Sequence, residues 1–255
     1  MIARADTRLT AHLHASPNVE PRRNATRPDI LLLHYTGMLS CTKAIAWLAD
    51  PRSRVSCHYV VDVDGSVTQM VAEDMRAWHA GVGSWAGDAD VNSRSIGIEI
   101  HNPGHDLGYL DFPRAQMQVV VDLCRDIVHR RNIPAHHVLG HSDVAPSRKM
   151  DPGEKFDWAG LAAAGVGHWV APAPIGWRNE GRHAGGTADE IAHAQRMLRA
   201  YGYGVEVDGV SDEATRRVVA AFQRHFRPER VDGELDASTI DTLARLSGAV
   251  QRGSA

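Results

Sequence analysis

The sequence predicts an α/β fold, in which a mixed central β-sheet is flanked by helices and followed by a small domain of three helices. Three observations support this prediction. Strand-like apolar runs alternate with amphipathic helical patterns over residues 25–170, a Val-Asp-Gly turn followed by a helical pattern occurs twice near the C-terminus, and a segment rich in proline and glycine separates the two regions. A chain of 255 residues is long enough for one medium and one small domain.

The first elements follow from hydrophobic periodicity and turn signals. The continuous apolar run "DILLLHYT" (29–36) predicts a strand covered on both faces, and "CTKAIAWLAD" (41–50) has helical spacing. The stretch "CHYVVDVDGSVTQMV" (57–71) predicts a hairpin, because an Asp-Gly pair lies between two apolar runs.

The later elements complete the predicted sheet. "SIGIEIHN" (95–102) alternates in polarity, so we expect one apolar and one polar face. The apolar face is formed by Ile96, Ile98 and Ile100, and the other face by Gly97, Glu99 and His101. "RAQMQVVVDLCRDIVHRRN" (114–132) predicts a long amphipathic helix, and "HHVLGHSD" (136–143) a short strand.

The C-terminal region contains an internal repeat. "VDGVSDEATRRVVAAF" (207–222) aligns with "VDGELDASTIDTLARL" (231–246), and each copy combines a tight turn, a helix cap and an amphipathic helix. With the helix predicted over 190–203, the repeat forms a bundle of three helices that is small enough to be a binding module rather than an enzyme. We therefore expect an N-terminal extension (1–24), a catalytic domain (25–170), a linker or surface wrap (171–187) and a helical domain (188–250).

Composition excludes several classes of function. The net charge of −3 gives no reason to expect nucleic acid or an anionic membrane as a partner, and the longest apolar runs are too short to cross a bilayer. Three widely spaced cysteines indicate neither a disulfide framework nor a metal knuckle. The unusual count is fifteen histidines, which makes metal chemistry worth testing.

Most of these histidines have no pattern around them that indicates a site. We assign no metal role to His12, His14, His105, His129, His136, His137, His168, His183, His193 or His225. His34 and His141 differ, because each follows an apolar strand at the edge where α/β sheets form their sites. The alternative for His34 is a buried histidine bonded to a backbone carbonyl.

The segment "GHSDVAPSRKMDPG" (140–153) has no helical or strand period. Pro152 favours an extended Asp151, which would place Asp151 on the same side as Lys149. Two imidazoles and one carboxylate, from His34, His141 and Asp151, form the three-ligand set of a catalytic zinc site. The alternative is a surface ion pair between Lys149 and Asp151.

Five blocks of the sequence resemble, in order, those of the zinc-dependent N-acetylmuramoyl-L-alanine amidases, a group that includes the peptidoglycan recognition proteins. The blocks are "ILLLHYT", "CHYVVDVDGSV", "AWHAGVGSW", "NSRSIGIEIHNPG" and "GHSDVAPSRKMDPG". The tail is similar to peptidoglycan-binding helical modules. The resemblance implies zinc ligands at His34, His141 and Asp151, and catalytic roles for Glu99 and Lys149.

These implied roles fit the chemistry of amide hydrolysis. Glu99 would take a proton from the attacking water, and Lys149 would stabilise the oxyanion. The alternative for Glu99 is a solvent-facing strand residue. Some members of the family have a catalytic tyrosine where this chain has Cys57, so Glu99 would carry more of the proton transfer.

Substrate contacts are expected near the glycine-rich block "AWHAGVGSW" (77–85), for which ordinary loop packing is the alternative. The candidate substrate-binding residues are His58, Trp78, His79, Trp85 and Asn102.

The expected function is hydrolysis of the bond between N-acetylmuramic acid, or its anhydro form, and L-alanine, in peptidoglycan or muropeptides. The alternatives are a non-catalytic peptidoglycan recognition protein and a different zinc peptidase. Binding to polymeric wall favours the periplasm or cell envelope. The first 24 residues lack the apolar core of a secretory signal, so this location requires a leader absent from the sequence or another export route. A cytoplasmic recycling role is the alternative.

Overall fold

The computed structural model describes residues 2, 4–176 and 186–253. The strands are β1 (His12–Leu13), β2 (Val19–Pro21), β3 (Ile30–Tyr35), β4 (Tyr59–Val61), β5 (Val67–Gln69), β6 (Met75–Ala77), β7 (Ser95–Ile100) and β8 (Val138–Gly140). The helices are α1 (Cys41–Leu48), α2 (Val91–Arg94), α3 (Arg114–Arg131), α4 (His141–Val144), α5 (Trp158–Ala163), α6 (Ala188–Tyr201), α7 (Glu213–Phe226) and α8 (Ala237–Gly253).

Six strands form the central sheet, in the order β1-β5-β4-β7-β3-β8. β4 and β5 form the predicted antiparallel hairpin, whereas β4, β7, β3 and β8 run parallel to one another. A second sheet contains only β2 and β6. The mixed sheet with flanking helices confirms the predicted fold class.

The two faces of the central sheet are packed differently. Ile96, Ile98 and Ile100 of β7 are fully buried in one cluster with apolar side chains of α3 and α5. Glu99 points to the other face, as the alternation predicts. In the parallel register its Cα pairs with that of His34, so the two side chains are neighbours on the same face.

The N-terminal residues contribute two short strands to the sheets. β1 pairs with β5 and β2 with β6. Arg22 is 8 % exposed, and its guanidinium donates to the carbonyls of Glu73, Asn92 and Ser93. These bonds tie the first residues of the chain to the loops around β6 and α2.

The repeat in the C-terminal domain has a common hydrogen-bonding pattern. The side-chain oxygen of Gln195 accepts the backbone N–H groups of Asp208 and Gly209, and its amide donates to Thr215. Gln223 makes the equivalent bonds to the turn at 232–233 and to Thr239. Each turn is therefore fastened to the helix before it.

The helical domain shares a core with the first domain. Ile30 and Leu32 of β3 belong to the same buried cluster as Tyr203, Phe222 and Phe226. The helical domain therefore packs on the first domain, with apolar side chains of α7 and of β3 in one cluster.

The segment between the domains is only partly described. Ala173 lies against α8, donating its N–H to Thr242 and accepting from Ser238. Residues 177–185 of the predicted linker, with His183, lie outside the described residues. In the described part of the chain, no helix combines the length and the apolar character needed to span a membrane.

Candidate active site

Three neighbouring strands position the site. His34 is near the end of β3, Glu99 is its register partner on β7, and His141 directly follows β8 on the opposite side of β3. All three strands are parallel, so their carboxyl ends meet at one edge of the sheet. Asp151 reaches the same edge from the loop after α4.

The side chains of His34, His141 and Asp151 converge on one point. His34 Nδ1 lies 2.9 Å from His141 Nδ1 and 3.1 Å from Asp151 Oδ2, and the latter two atoms are 3.0 Å apart. The residues are 1 %, 3 % and 5 % exposed. Among the described residues, only this group brings three potential ligand atoms within 4.8 Å of one another.

The arrangement fits a tetrahedral metal ion. Ligand atoms in a shell with bonds of about 2.0–2.1 Å are separated by about 3.3 Å, close to the three distances above. His141 Nε2 is 2.9 Å from the carbonyl oxygen of Ala80, which selects the tautomer with a free Nδ1 lone pair. The donor set and its outer contacts therefore fit a metal ion.

The protonation states agree with metal binding. Burial, with the charge of His141, lowers the pKa of His34 from 6.5 to about 4, so its imidazole is neutral at pH 7. Burial alone would raise the pKa of Asp151, but the charges and hydrogen bonds of His141 and His34 hold it well below its usual range. Metal ligands need these deprotonated forms.

Glu99 has the environment of a proton carrier. Its Oε2 is buried and has no hydrogen-bond partner among the described residues. Burial raises the pKa of the Glu99 carboxyl well above 4.5, the nearby Asp151 carboxylate adds to the rise, and Lys149 opposes it. Glu99 lines a cavity of about 400 Å³ together with the three converging residues.

Lys149 and Arg148 border this cavity but differ in their contacts. The backbone N–H of Lys149 donates to the Ala145 carbonyl, whereas its side-chain ammonium lines the cavity without a hydrogen bond or ion pair to any described residue. Arg148 donates to the carbonyls of Val82 and Ala80, and Ala80 is also the acceptor for His141. Arg148 therefore holds the loop that orients His141, whereas the Lys149 ammonium is available to a ligand.

Of the five candidate substrate residues, His79 alone contacts the group formed by His34, His141 and Asp151. Its Nδ1 is 3.0 Å from His34 Nε2, and its ring lies on the sheet at Gly97. A Cβ at Gly97 would approach His79 Nδ1 to 2.5 Å, so only glycine leaves room for the ring. Asn92 fixes this loop by accepting the N–H groups of His79 and Ala80.

The other candidate substrate residues lie elsewhere. His58 is fully buried. Its Nδ1 accepts the backbone N–H of Gly97, and its Nε2 contacts the guanidinium of Arg22. Trp85 is 0 % exposed and packs between the two domains against Tyr203. Neither His58 nor Trp85 lines the cavity that contains Glu99.

Asn102 and Trp78 lie in different environments. Asn102 is 2 % exposed and closes a turn, donating to Leu110 and accepting from Gly104. Asn102 does not line the cavity that contains Glu99. Trp78 is half-buried and lines a second cavity of about 530 Å³, which Lys149 also borders.

The loop after β8 differs from the predicted irregular segment. It begins with the single helical turn α4, which contains His141 itself. Asp151 lies in a turn with a cis bond to Pro152, and not in an extended stretch. The backbone N–H of Ser142 donates to the Asp151 carbonyl at 3.0 Å, which joins the two ligand-bearing parts of the loop.

Several residues near the site were not identified from the sequence. At the border of the cavity, the Tyr35 hydroxyl is hydrogen-bonded to the His105 ring, and that ring is hydrogen-bonded to the Glu154 carboxylate. Asp143 is buried beneath the loop and contacts His225. No periodicity could have indicated these pairs, since their members are 49–82 positions apart in sequence.

Comparisons with known proteins match both regions of the chain. Residues 24–154 match the family model for N-acetylmuramoyl-L-alanine amidase, and residues 187–243 match that of a peptidoglycan-binding domain. The chain is 37 % identical to N-acetylmuramoyl-L-alanine amidase AmiD of Escherichia coli K12 over 84 % of its length and 80 % of the relative's. It is 34 % identical to the 1,6-anhydro-N-acetylmuramyl-L-alanine amidase AmpD of Citrobacter freundii, over 58 % of this chain and 86 % of that protein.

Solved structures show the same likeness. AmiD from E. coli, in complex with the substrate anhydro-N-acetylmuramic acid-L-Ala-D-gamma-Glu-L-Lys, superposes with a TM-score of 0.75 at 34 % identity, covering 90 % of this chain and 92 % of that one. AmpDh3 from Pseudomonas aeruginosa superposes with a TM-score of 0.74 at 30 % identity, covering 91 % and 96 %. The predicted resemblance is confirmed, and this chain belongs to the N-acetylmuramoyl-L-alanine amidase family.

Proposed function

We propose that this chain is a zinc-dependent hydrolase of the amide bond between N-acetylmuramic acid, or its 1,6-anhydro form, and L-alanine. The observation that carries the proposal is the buried, unpaired Oε2 of Glu99 in the cavity that His34, His141 and Asp151 line. The same amide bond occurs in the substrate bound to the E. coli relative. Both family membership and site chemistry therefore support this reaction.

Zinc is the proposed ion, with His34 Nδ1, His141 Nδ1 and Asp151 Oδ2 as ligands. Two imidazole nitrogens and one carboxylate suit zinc and leave one tetrahedral position open. Zinc in such a set lowers the pKa of a water to about 7 and so supplies a nucleophile at neutral pH.

Glu99 acts in this proposal as the proton shuttle. Its Oε2 accepts the proton of the attacking water and passes it to the departing amine of L-alanine. No described residue competes for that oxygen, and the sheet holds it beside His34. The carboxylate is thus positioned before substrate arrives, which limits the reorganisation needed during the reaction.

Lys149 supplies positive charge for the negative oxygen that develops on the attacked carbonyl. Its ammonium has no partner among the described residues and borders the same cavity as Glu99. A donor directed at such an oxygen contributes about 3–4 kcal/mol to transition-state stabilisation in comparable sites.

The helical domain is proposed to hold the enzyme on polymeric peptidoglycan, as the matched domain model suggests. We propose the cell envelope as the location, because polymeric peptidoglycan is found there. Cosedimentation of the full chain with insoluble sacculi measures the binding. Excess soluble muropeptide competes for the active-site cavity, so binding that persists in its presence is not due to that cavity alone.

The function is tested on a defined muropeptide, with mass analysis of the products. We expect two fragments, one of which carries a new L-alanine amine terminus, and we expect chelation to stop the reaction and zinc to restore it. Binding without cleavage would instead identify a recognition protein. Cleavage within the stem peptide would identify a different zinc peptidase.

A further inference from the structure

The helical domain packs directly on the loop that carries the proposed metal ligands. We call residues 140–155 the site loop. Arg217 of α7 donates to the carbonyl of Ser147 at 3.0 Å, and Arg224 Nε lies 3.9 Å from a Glu154 oxygen. Val144 and Ala145 of the same loop are buried in the cluster shared with α7.

The closest link between the domains is the carboxylate of Asp143. This residue is 1 % exposed. Its Oδ1 accepts from the Tyr203 hydroxyl at 2.6 Å, and its Oδ2 lies 2.7 Å from His225 Nδ1. Because a carboxylate has no proton to give, the His225 ring donates this bond. Two of the three donors around Asp143 therefore come from the helical domain.

The third donor lies in the site loop itself. The backbone N–H of Gly140 donates to Asp143 Oδ2 at 2.8 Å. Gly140 precedes His141 and Asp143 follows it by two residues, so the carboxylate holds the backbone on both sides of the ligand. The neighbouring Ser142 N–H is bonded to the Asp151 carbonyl, which extends the constraint to the second ligand.

His225 has little freedom to leave this position. Its ring stacks on Trp158 of the first domain at 3.7 Å between centroids, and on Phe226 at 3.8 Å. Trp158 also packs close to Gly140, where an added Cβ would be 3.3 Å from its ring. The His225 ring, the two aromatic rings that stack on it and Gly140 at the start of the site loop thus pack together.

We propose, building on the function above, that Tyr203 and His225 are positioning residues for the metal site. Through Asp143 they fix the backbone of His141 and, through Ser142, that of Asp151. The helical domain therefore completes the metal-binding geometry in addition to any role in binding the wall. Outer contacts of metal ligands typically change metal affinity by about 10- to 100-fold when they are removed.

Tyr203→Phe in the full chain tests the proposal, with Tyr201→Phe as the matched control. Both changes remove one hydroxyl from a buried tyrosine at the same interface, but the Tyr201 hydroxyl lies near His168 Nδ1, at 3.2 Å. Zinc affinity is measured by competition with a chromophoric chelator at 25 °C. We expect Tyr203→Phe to bind zinc at least about tenfold more weakly, and Tyr201→Phe to stay within about twofold of wild type.

A second pair of variants examines the other donor. His225→Asn keeps an N–H near the position of Nδ1, whereas His225→Leu removes it. We expect the asparagine variant to retain more zinc affinity than the leucine variant. Circular dichroism melting confirms that each protein is folded at the temperature of the measurement. If Tyr203→Phe failed to fold, this pair would decide the question alone.

The outcomes separate this inference from the proposed function. If wild type bound zinc and cleaved the muropeptide while Tyr203→Phe bound zinc as tightly as Tyr201→Phe, the positioning role would be refuted and the function would stand. Equal zinc affinity of the two folded His225 variants would refute it likewise. A wild-type protein without zinc affinity would overturn both proposals.

Discussion

The two faces of the central sheet contain side chains from the same strands but have different roles. On one face, Ile96, Ile98 and Ile100 are packed under α3 and α5. On the other, Glu99 and His34 lie side by side at the edge of the cavity. The comparison shows how alternation on one strand separates a buried residue of the core from a residue that is proposed to act in catalysis, one position away.

The largest expected effect is on the site face. His141→Ala removes one of three proposed ligands, and two remaining protein ligands rarely hold a catalytic ion. We expect zinc to be lost and hydrolysis to become undetectable, as measured by metal analysis and muropeptide turnover. His101→Ala is the matched control, because His101 directly follows β7 but is hydrogen-bonded to the Thr36 hydroxyl. Zinc retained in His141→Ala would exclude His141 from the ligand set.

Glu99→Gln should separate catalysis from metal binding. The amide has nearly the same size but cannot accept a proton at neutral pH. We expect zinc content and melting temperature to stay unchanged while turnover falls about 10²- to 10⁴-fold, the usual contribution of a general base. Loss of zinc would make Glu99 a ligand, and near-normal turnover would assign the proton transfer to another group.

Ile98→Ala examines the opposite face, one position from Glu99. Ile98 is 0 % exposed, so truncation leaves a cavity beneath α3. We expect the free energy of unfolding to fall by about 2–5 kcal/mol in denaturant titration. Zinc stoichiometry of the folded protein should not change. A loss of zinc comparable to that of His141→Ala would show that the two faces are not independent.

Glu73 provides a pH-dependent test on the side of the sheet away from the cavity. It is 0 % exposed and pairs with Arg130 and Arg131 at the end of α3, and with the Tyr59 hydroxyl. Burial alone would raise its pKa, but the hydrogen bonds and charges of these partners lower it from 4.5 to about 2.

Because the folded-state pKa of Glu73 is depressed, its contribution to stability is complete above pH 5 and is lost as the pH falls towards 2. The shift corresponds to about 3 kcal/mol at most. Denaturant titrations of wild type and Glu73→Gln between pH 7 and 3 measure this contribution. The difference between their free energies of unfolding should shrink as the pH falls. A constant difference would show that Glu73 does not titrate as its contacts indicate.

The sequence determined the strands β3, β4, β5, β7 and β8, the long helix and the identity of the proposed site residues, but not the strands β1, β2 and β6. Alternation in "SIGIEI" assigned the isoleucines and Glu99 to opposite faces, because side chains on a strand alternate regardless of what packs on it. The strand ends before His34 and His141 followed from local apolar runs, and the repeated Val-Asp-Gly turns predicted the helical domain.

Only the tertiary structure decided which residues support the site. Trp85 and His58 occur in sequence contexts that suggest a groove, but both are buried in packing. Asp143, Tyr203 and His225 have no local signal, since 60 and 82 positions separate Asp143 from its two partners. Contacts at such separations arise when the chain folds back on itself, and local periodicity contains no information about them. The helical domain is recognisable in the sequence, whereas its contact with the site loop follows only from the shared core.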